Sequence, residues 1–280
     1  MLKTLAEALE WASSQFVEIS DTAKLDAEVI LLHVIHKPRS YLYTWPEERL
    51  TADQVNDFKK MVAQRAIGTP IAHIVGEREF WSLSFMVNPT TLIPRPDTEI
   101  LVETALNLPL ATNAKVLDLG TGTGAIALSL AFERSTWKVT AVDKVIEAVA
   151  LAKANRDNLK LSQVEVLQSD WFDAIEQYDF NLIVSNPPYI DEDDEHLSQG
   201  DVRFEPQSAL TAGEQGYADL FHIASAARDY LAPGGYLLLE HGFEQALTVR
   251  KKMIELGYES VATVRDFGSN DRCTLGRWPR

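Results

Sequence analysis

The chain has one cysteine, Cys273, in 280 residues. That excludes an internal disulfide and any zinc site built on several thiolates, and it fits a reducing, cytoplasmic setting. Positive charge is scarce as well. The 26 lysines and arginines stand against 41 aspartates and glutamates, a formal net charge of -15. Such a chain has no general attraction for phosphate backbones, so direct nucleic-acid binding is not expected; a basic protein partner is easier to accommodate. No apolar stretch approaches the roughly 20 residues that span a bilayer, so no membrane partner is expected. Glu7 and Glu10 come too soon after Met1 for the uncharged core of a signal peptide. The six histidines are scattered, and His33 and His36 lack the i, i+4 spacing of a helical metal pair, so no metal is expected. There is no internal repeat and no low-complexity segment.

What is present supports a real core, with a hydrophobic fraction of 46%. Leu5, Leu9, Ala12 and Phe16 fall at helical spacing. So do Leu25, Val29, Leu32 and Ile35, ended by Pro38, and a third helix is expected over 52–66. Residues 1–75 therefore read as a small helical domain. Phe80, Trp81, Leu83, Phe85 and Val87 suggest a β-hairpin connector at 76–91 within a change of pattern that begins at Ile71. From 92 to 280 strands and helices alternate. Strands are expected at 115–119, 138–142, 163–167, 180–185 and 235–240, with helices at 97–106, 123–133, 144–157 and 216–231. The alternation implies an α/β domain with a parallel sheet covered on both faces, and the segments 258–264 and 273–277 can add an antiparallel edge.

Ligands of such sheets bind beyond the C-terminal ends of the strands. Gly120-Thr121-Gly122-Thr123-Gly124 follows the first strand, where glycines permit a sharp turn and close approach. The helix beyond offers unpaired N–H groups to a carboxylate or phosphate. The spacing fits the dinucleotide fingerprint poorly, and a tight structural turn is an equal reading. Asp143 ends the second strand about 20 residues on, where a carboxylate accepts from ribose hydroxyls; a helix N-cap is the competing reading. Asp170 and Trp171 follow the third strand. They suit an adenine amino group and an adenine face, or else a cap and a core aromatic.

Asn186-Pro187-Pro188-Tyr189 follows the next strand. An amide or aromatic amino nitrogen is a poor nucleophile because its lone pair is conjugated. Two acceptors that draw its N–H bonds out of plane favour attack on a methyl donor. The Asn186 side-chain oxygen and the Pro187 carbonyl are the candidates. Both residues precede proline and are held extended, and neither Pro187 nor Pro188 has an N–H to compete. Tyr189 can stack on the planar group. The purely structural alternative is a rigid turn. The acidic run Asp191–Glu195 is either a solvated loop or a rim facing a basic substrate.

The glycine loop with Asn186–Tyr189 resembles class I methyltransferases dependent on S-adenosyl-L-methionine that act on planar amino groups. Ile93-Pro-Arg-Pro-Asp-Thr-Glu99, Arg203-Phe-Glu-Pro206 and the N-terminal helical domain narrow the match. Together they resemble the bacterial release-factor glutamine N5-methyltransferases, the PrmC/HemK family. The resemblance covers essentially the whole chain. It implies a Rossmann-like catalytic domain with a mostly parallel seven-stranded sheet. It also implies class 1 peptide chain release factors as the protein substrate, methylated on the glutamine of their Gly-Gly-Gln motif, and S-adenosyl-L-homocysteine as the second product. Gly120 to Gly124, Asp143, Asp170, Trp171 and Asn186 would contact the donor. Asn186, Pro187, Pro188 and Tyr189 would form the glutamine pocket, with residues 1–75 recognising the protein substrate. A ribosomal-protein glutamine methyltransferase and an adenine-N6 methyltransferase remain the alternatives, the second disfavoured by the charge.

Overall fold

Thr4 and Thr51 start the two longest amphipathic helices of the N-terminal part by accepting a backbone N–H on the side-chain oxygen. Thr4 caps Leu5–Phe16 and Thr51 forms a capping box with Gln54 at Ala52–Ala66. Between them runs Ala23–Ile35, closed by His36 in the left-handed region two residues before Pro38, and the short helix Ser40–Thr44. The structure, a computed structural model, describes residues 2–280. Among them, no helix is long and apolar enough to cross a membrane. By compactness the chain forms two units. One comprises the residues up to Glu77 together with Glu195–Phe204; the other comprises Arg78–Asp194 and Glu205–Arg280.

The helical unit packs Leu5, Phe16, Ile30, Leu31, Phe58 and Val62 into its own core. It also holds a buried ion cluster. Arg65, on the third of these long helices, donates from Nε to Asp26 Oδ2 at 2.8 Å and from Nη1 to Asp201 Oδ1 at 2.8 Å and Thr69 O at 3.1 Å. Asp201 belongs to the returning segment Glu195–Phe204, far along the chain. The change of pattern at Ile71 marks no strand: Ile71–Val75 is a helical turn stopped by Gly76 at φ 78°, and the hairpin follows it. Five residues are too few to display a helical period.

The second unit begins within β1 (Glu77–Phe80), which is joined to β2 (Leu83–Met86) through Trp81 and Ser82, both at positive φ. Two left-handed residues make the turn whose twist matches a hairpin. Trp81 bears the strain because its N–H donates to Glu99 Oε1 and its indole Nε1 to Glu133 Oε1, each at 2.9 Å. The sheet that follows contains β3 (Lys115–Leu119), β4 (Lys138–Asp143), β5 (Glu165–Gln168), β6 (Phe180–Ser185), β7 (Leu231–Glu240), β8 (Glu259–Arg265) and β9 (Asp271–Arg277). Their order is β5-β4-β3-β6-β7-β9-β8. All neighbours are parallel except at β9, which runs antiparallel to both β7 and β8. This is the mostly parallel seven-stranded, Rossmann-like sheet expected. β3 and β6 are mostly apolar and buried, with helices covering both faces. Helix Ala125–Glu133 is buried along most of its length for the same reason. β7 begins earlier than expected, at Leu231, because Ala232–Gly235 bulge between the pairs Phe180–Leu231 and Leu182–Tyr236.

Removing the Arg65 guanidinium leaves Asp26 buried without its cation. Arg65→Ala is expected to destabilise the helical unit by about 3–5 kcal/mol, read as a lower midpoint in urea unfolding.

Candidate active site

The C-terminal ends of β3, β4, β5 and β6 open into one cavity of about 390 Å³. That is within the range of a small-molecule site. Its first wall is the glycine loop after β3. Gly120, Gly122 and Gly124 sit at φ 70°, 55° and 86°, where a side chain is strained. Thr121 N donates to Val142 O at 2.9 Å and ties the loop to β4. Asp118, inside β3, holds it from below. Its Oδ2 accepts from Thr121 Oγ1 at 2.6 Å and from Ala127 N at 3.2 Å, at the start of helix Ala125–Glu133. Burial pushes the Asp118 carboxyl up to about 7, against those two bonds and with the charge of Asp143 adding to the rise. Asp118 carries no signal in the sequence beyond a polar residue inside an apolar run.

Asp143 holds the backbone on two sides. Oδ2 accepts from Gly122 N and Oδ1 from Val145 N, each at 2.9 Å. The carboxylate therefore fixes the glycine loop and the turn into the next helix while it faces the cavity. Burial raises its pKa and the backbone N–H groups of Val145, Gly122 and Lys144 oppose the rise. Beyond β5, Asp170 pairs with Lys144 Nζ at 2.6 Å. Trp171 has φ 48°, and its ring covers Gly120 so closely that a Cβ there would meet Cζ3 at 3.4 Å.

After β6, Ser185 Oγ donates to Leu119 O at 2.8 Å. Asn186 Nδ2 donates to Thr98 Oγ1 at 3.3 Å. The cavity wall thus includes Gly120 to Thr123, Asp143, Asp170, Trp171, Asn186 and Pro188. Gly124, Pro187 and Tyr189 lie outside it. Gly124 packs against Leu128 and Ala152, where a Cβ would come within 2.9 Å of Leu128 Cδ1. Tyr189 packs its ring on the core, and its hydroxyl donates to Glu240 Oε1 at 3.4 Å. Burial raises the Tyr189 pKa first, and the Glu240 charge adds to it.

The remaining walls come from segments that gave only a resemblance or no signal. Thr90, Thr91, Arg95 and Thr98 come from the connector, Ser208 and Thr211 from the loop after Tyr189. Glu205 joins the two segments by accepting from Ile93 N at 3.0 Å and from the Arg95 guanidinium. That loop closes on itself, because Tyr189 N and Ile190 N both donate to Leu210 O. Within the acidic run, Asp191 accepts from Asp193 N at 3.0 Å and shapes its own turn. Among the described residues, no group of three His, Cys, Asp or Glu side chains is set to hold a metal.

Residues 7–76 match the PrmC N-terminal domain family, and residues 96–205 match the methyltransferase small domain family. The release factor glutamine methyltransferase of Shewanella oneidensis is 71% identical over 274 residues, 98% of this chain and 96% of that protein. The protein of the same name from Escherichia coli is 50% identical over 262 residues, 94% of this chain and 95% of that one. The chain belongs to the release factor glutamine methyltransferase family. Among solved structures, a methyltransferase from Pyrococcus furiosus has a TM-score of 0.56 at 21% identity, covering 79% of this chain and all of that one. The 16S rRNA N2 G1207 methyltransferase of T. thermophilus has a TM-score of 0.54 at 21% identity, covering 73% of this chain and 50% of that one. These two likenesses concern the fold alone, a methyltransferase fold that this family member shares.

Asp118 and Glu240 are both raised to about 7 in the fold by burial. A carboxyl with a raised native pKa stabilises the fold below its unfolded pKa, and that stability is lost as pH rises through the native value. Melting temperature is therefore expected to rise as pH is lowered from about 8 to about 5. Asp118→Asn removes one of the two groups, so its melting temperature should change less steeply over the same window. Equal slopes in the two proteins would refute this account of Asp118.

Proposed function

We propose that this enzyme transfers a methyl group from S-adenosyl-L-methionine to the side-chain amide nitrogen, N5, of the glutamine in the Gly-Gly-Gln motif of class 1 peptide chain release factors. Translation termination is the process it modulates. The observation that carries this reading is the Asn186 carboxamide. Its nitrogen donates to Thr98, its oxygen has no hydrogen-bond partner among the described residues, and Asn186 lines the same cavity as Gly120 to Thr123.

The residues present fit the donor. Gly122 leaves the cavity side of the loop clear, since a Cβ there would meet only Thr91, at 3.8 Å. The helix start beyond the loop suits the donor's carboxylate. Asp143 suits the ribose hydroxyls, Trp171 the adenine face and Asp170 the adenine amino group. The donor supplies an electrophilic methyl group on a sulfonium, and S-adenosyl-L-homocysteine is the product. On the acceptor side, Asn186 Oδ1 and the Pro187 carbonyl take the two N–H bonds of the glutamine amide, and Pro188 lines its pocket. Drawing both hydrogens from the amide plane localises the nitrogen lone pair and aligns it for attack. Such hydrogen bonds strengthen as positive charge develops on nitrogen. Tyr189 supports this pocket from the core side.

Incubation with labelled donor and, in separate reactions, a release factor, a ribosomal protein and DNA tests the substrate class. Label confined to the release factor glutamine is expected; label on either of the others alone overturns the proposal. Asn186→Ala is expected to slow methyl transfer by about 10²–10³-fold with the fold intact, on the scale of one transition-state hydrogen bond. Activity within a few-fold of wild type would contradict the role given to this carboxamide. Asp143→Ala should weaken donor binding by about 1.5–3 kcal/mol in calorimetry. It should also lower the melting temperature, because the same carboxylate holds Gly122 N and Val145 N.

The helical unit recognises the release factor in this proposal. Trp45 and Tyr43 are more than half exposed on it, and Tyr43 is pinned by donating to Glu28 Oε1 at 2.9 Å. Exposed, rigid aromatics are the usual anchors of protein interfaces. Trp45→Ala should cut kcat/KM for intact release factor by about tenfold or more while donor affinity is unchanged. An unaltered kcat/KM would remove this residue from the interface.

A further inference from the structure

The acceptor tetrapeptide is a stiff strap anchored at both ends. Pro187 and Pro188 have φ fixed by their rings, and Asn186 and Pro187 are each held extended by the proline that follows. Few torsions remain free between Ser185 and Tyr189, so the placement of the two ends decides where the carbonyls between them point. One end is fastened by Ser185 Oγ, which donates to Leu119 O at 2.8 Å. The other is fastened by a side chain that the donor and acceptor motifs do not include. Gln245 Nε2 donates to Tyr189 O at 3.0 Å.

Gln245 is buried, and its carboxamide is used in full. Oε1 accepts from Gly242 N at 2.9 Å, and Nε2 also donates to Gly216 O at 3.5 Å. These partners set the orientation of the amide. A backbone N–H only donates, so Gly242 takes the oxygen end; carbonyls only accept, so Tyr189 and Gly216 take the nitrogen end. The residue is itself firmly placed. It immediately precedes helix Ala246–Glu255, whose Val249 and Met253 are buried in the core, and its own carbonyl accepts from Val249 N at 3.0 Å. Gly216 fits closely against the clamped carbonyl. It has φ 83°, and a Cβ there would come within 2.2 Å of Tyr189 O.

Tyr189 N donates to Leu210 O at 3.2 Å, so both backbone groups of Tyr189 are occupied. The Pro187 carbonyl accepts no hydrogen bond among the described residues. The last carbonyl of the strap is thus spent on holding it, and an earlier one is left open.

We propose that Gln245 is a positioning residue, which fixes the Tyr189 end of the strap and thereby aims the Pro187 carbonyl at the substrate amide. This role builds on the acceptor chemistry proposed above for Asn186 and Pro187. Loss of the clamp frees the Tyr189–Ile190 peptide to turn. The strap transmits that turn, because the proline rings cannot absorb it. The Pro187 oxygen then meets the substrate N–H off line, and a misplacement of about 1 Å costs on the order of 10²-fold in rate. The glycine loop and Asp143 leave the ends of β3 and β4 and have no bond to Gln245, so the donor keeps its affinity.

Pro187-Pro188 is the one Pro-Pro step in the sequence. In full-length protein labelled with 13C and 15N at proline, Pro187 is therefore the one residue whose carbonyl carbon is bonded directly to a labelled nitrogen, which identifies its resonance. That resonance should shift in Gln245→Met, which keeps the length of the side chain and loses its hydrogen bonds. It should also shift in Gln245→Asn, which keeps the carboxamide but falls one methylene short of Tyr189 O. An unshifted resonance in either folded variant overturns the positioning role, whatever the substrate proves to be. In steady-state methylation of a release factor, each variant should lower kcat by about 10–100-fold, with KM and calorimetric donor affinity nearly unchanged. If wild type labels the release factor and the variants match its kcat, the inference fails and the proposed function stands. A loss of donor affinity as large as the loss of kcat also overturns the inference, because it reports a loosened fold and not a misdirected carbonyl. If wild type labels no release factor, the function is wrong, and the Pro187 resonance alone decides the clamp.

Discussion

Strands β3 and β6 lie side by side with Leu119 opposite Ser185, and the spacing of neighbouring strands, about 4.8 Å, sets how far apart two chemistries can be. The glycine loop leaves the end of one strand and Asn186 the end of the other. Ser185 Oγ fastens the two ends together by donating to Leu119 O. Burial of both strands on both faces makes a slip in register costly, because it would expose Leu117, Leu119, Ile183 and Val184 to the wrong layer. The distance between the glycine loop and Asn186 is thus a property of the core. The same core then has to contain polar groups near its edge, and Asp118, Asp143 and Glu240 are the result.

Each of those carboxylates is buried where its charge is disfavoured, and each holds backbone or hydroxyl donors that shape the cavity. Asp118 secures Thr121 and Ala127, Asp143 secures Gly122 and Val145, and Glu240 takes Tyr189. A buried acid left with its bonds unmade costs more than the bonds are worth when made. The loops are therefore held not by strong attraction but by the penalty for letting go. That arrangement suits a site that must present the same geometry before and after a ligand arrives.

Much of this was legible in the sequence. β3 and β6 were expected at their observed ends because a short, mainly apolar run has one solution in a covered sheet. Gly120 to Gly124, Asp143, Asp170, Trp171 and Asn186 to Tyr189 were expected in one crevice; all share one cavity except Gly124, Pro187 and Tyr189. Gly124 and Tyr189 could be recognised as part of their motifs, yet their positions against Leu128 and the core depend on packing that no short motif encodes. The five-residue helix at Ile71 and the bulge at Ala232–Gly235 were lost because each is shorter than the period that would reveal it. The partners of Asn186 and Tyr189 were lost for a different reason. Thr98 is 88 residues from Asn186, Glu240 is 51 from Tyr189, and only the folded sheet brings them together.

The segment Glu195–Phe204 belongs to the helical unit although it is encoded in the middle of the catalytic one. During synthesis the chain emerges from its N-terminus at about 5–20 residues per second. Arg65 and Asp201 are 136 residues apart, so the guanidinium waits on the order of 10 s for its second carboxylate at that pace. Over that interval Arg65 has Asp26 as its partner but lacks Asp201. The helical unit is the first to leave the ribosome, yet its last segment follows only after more than half of the other unit has been made.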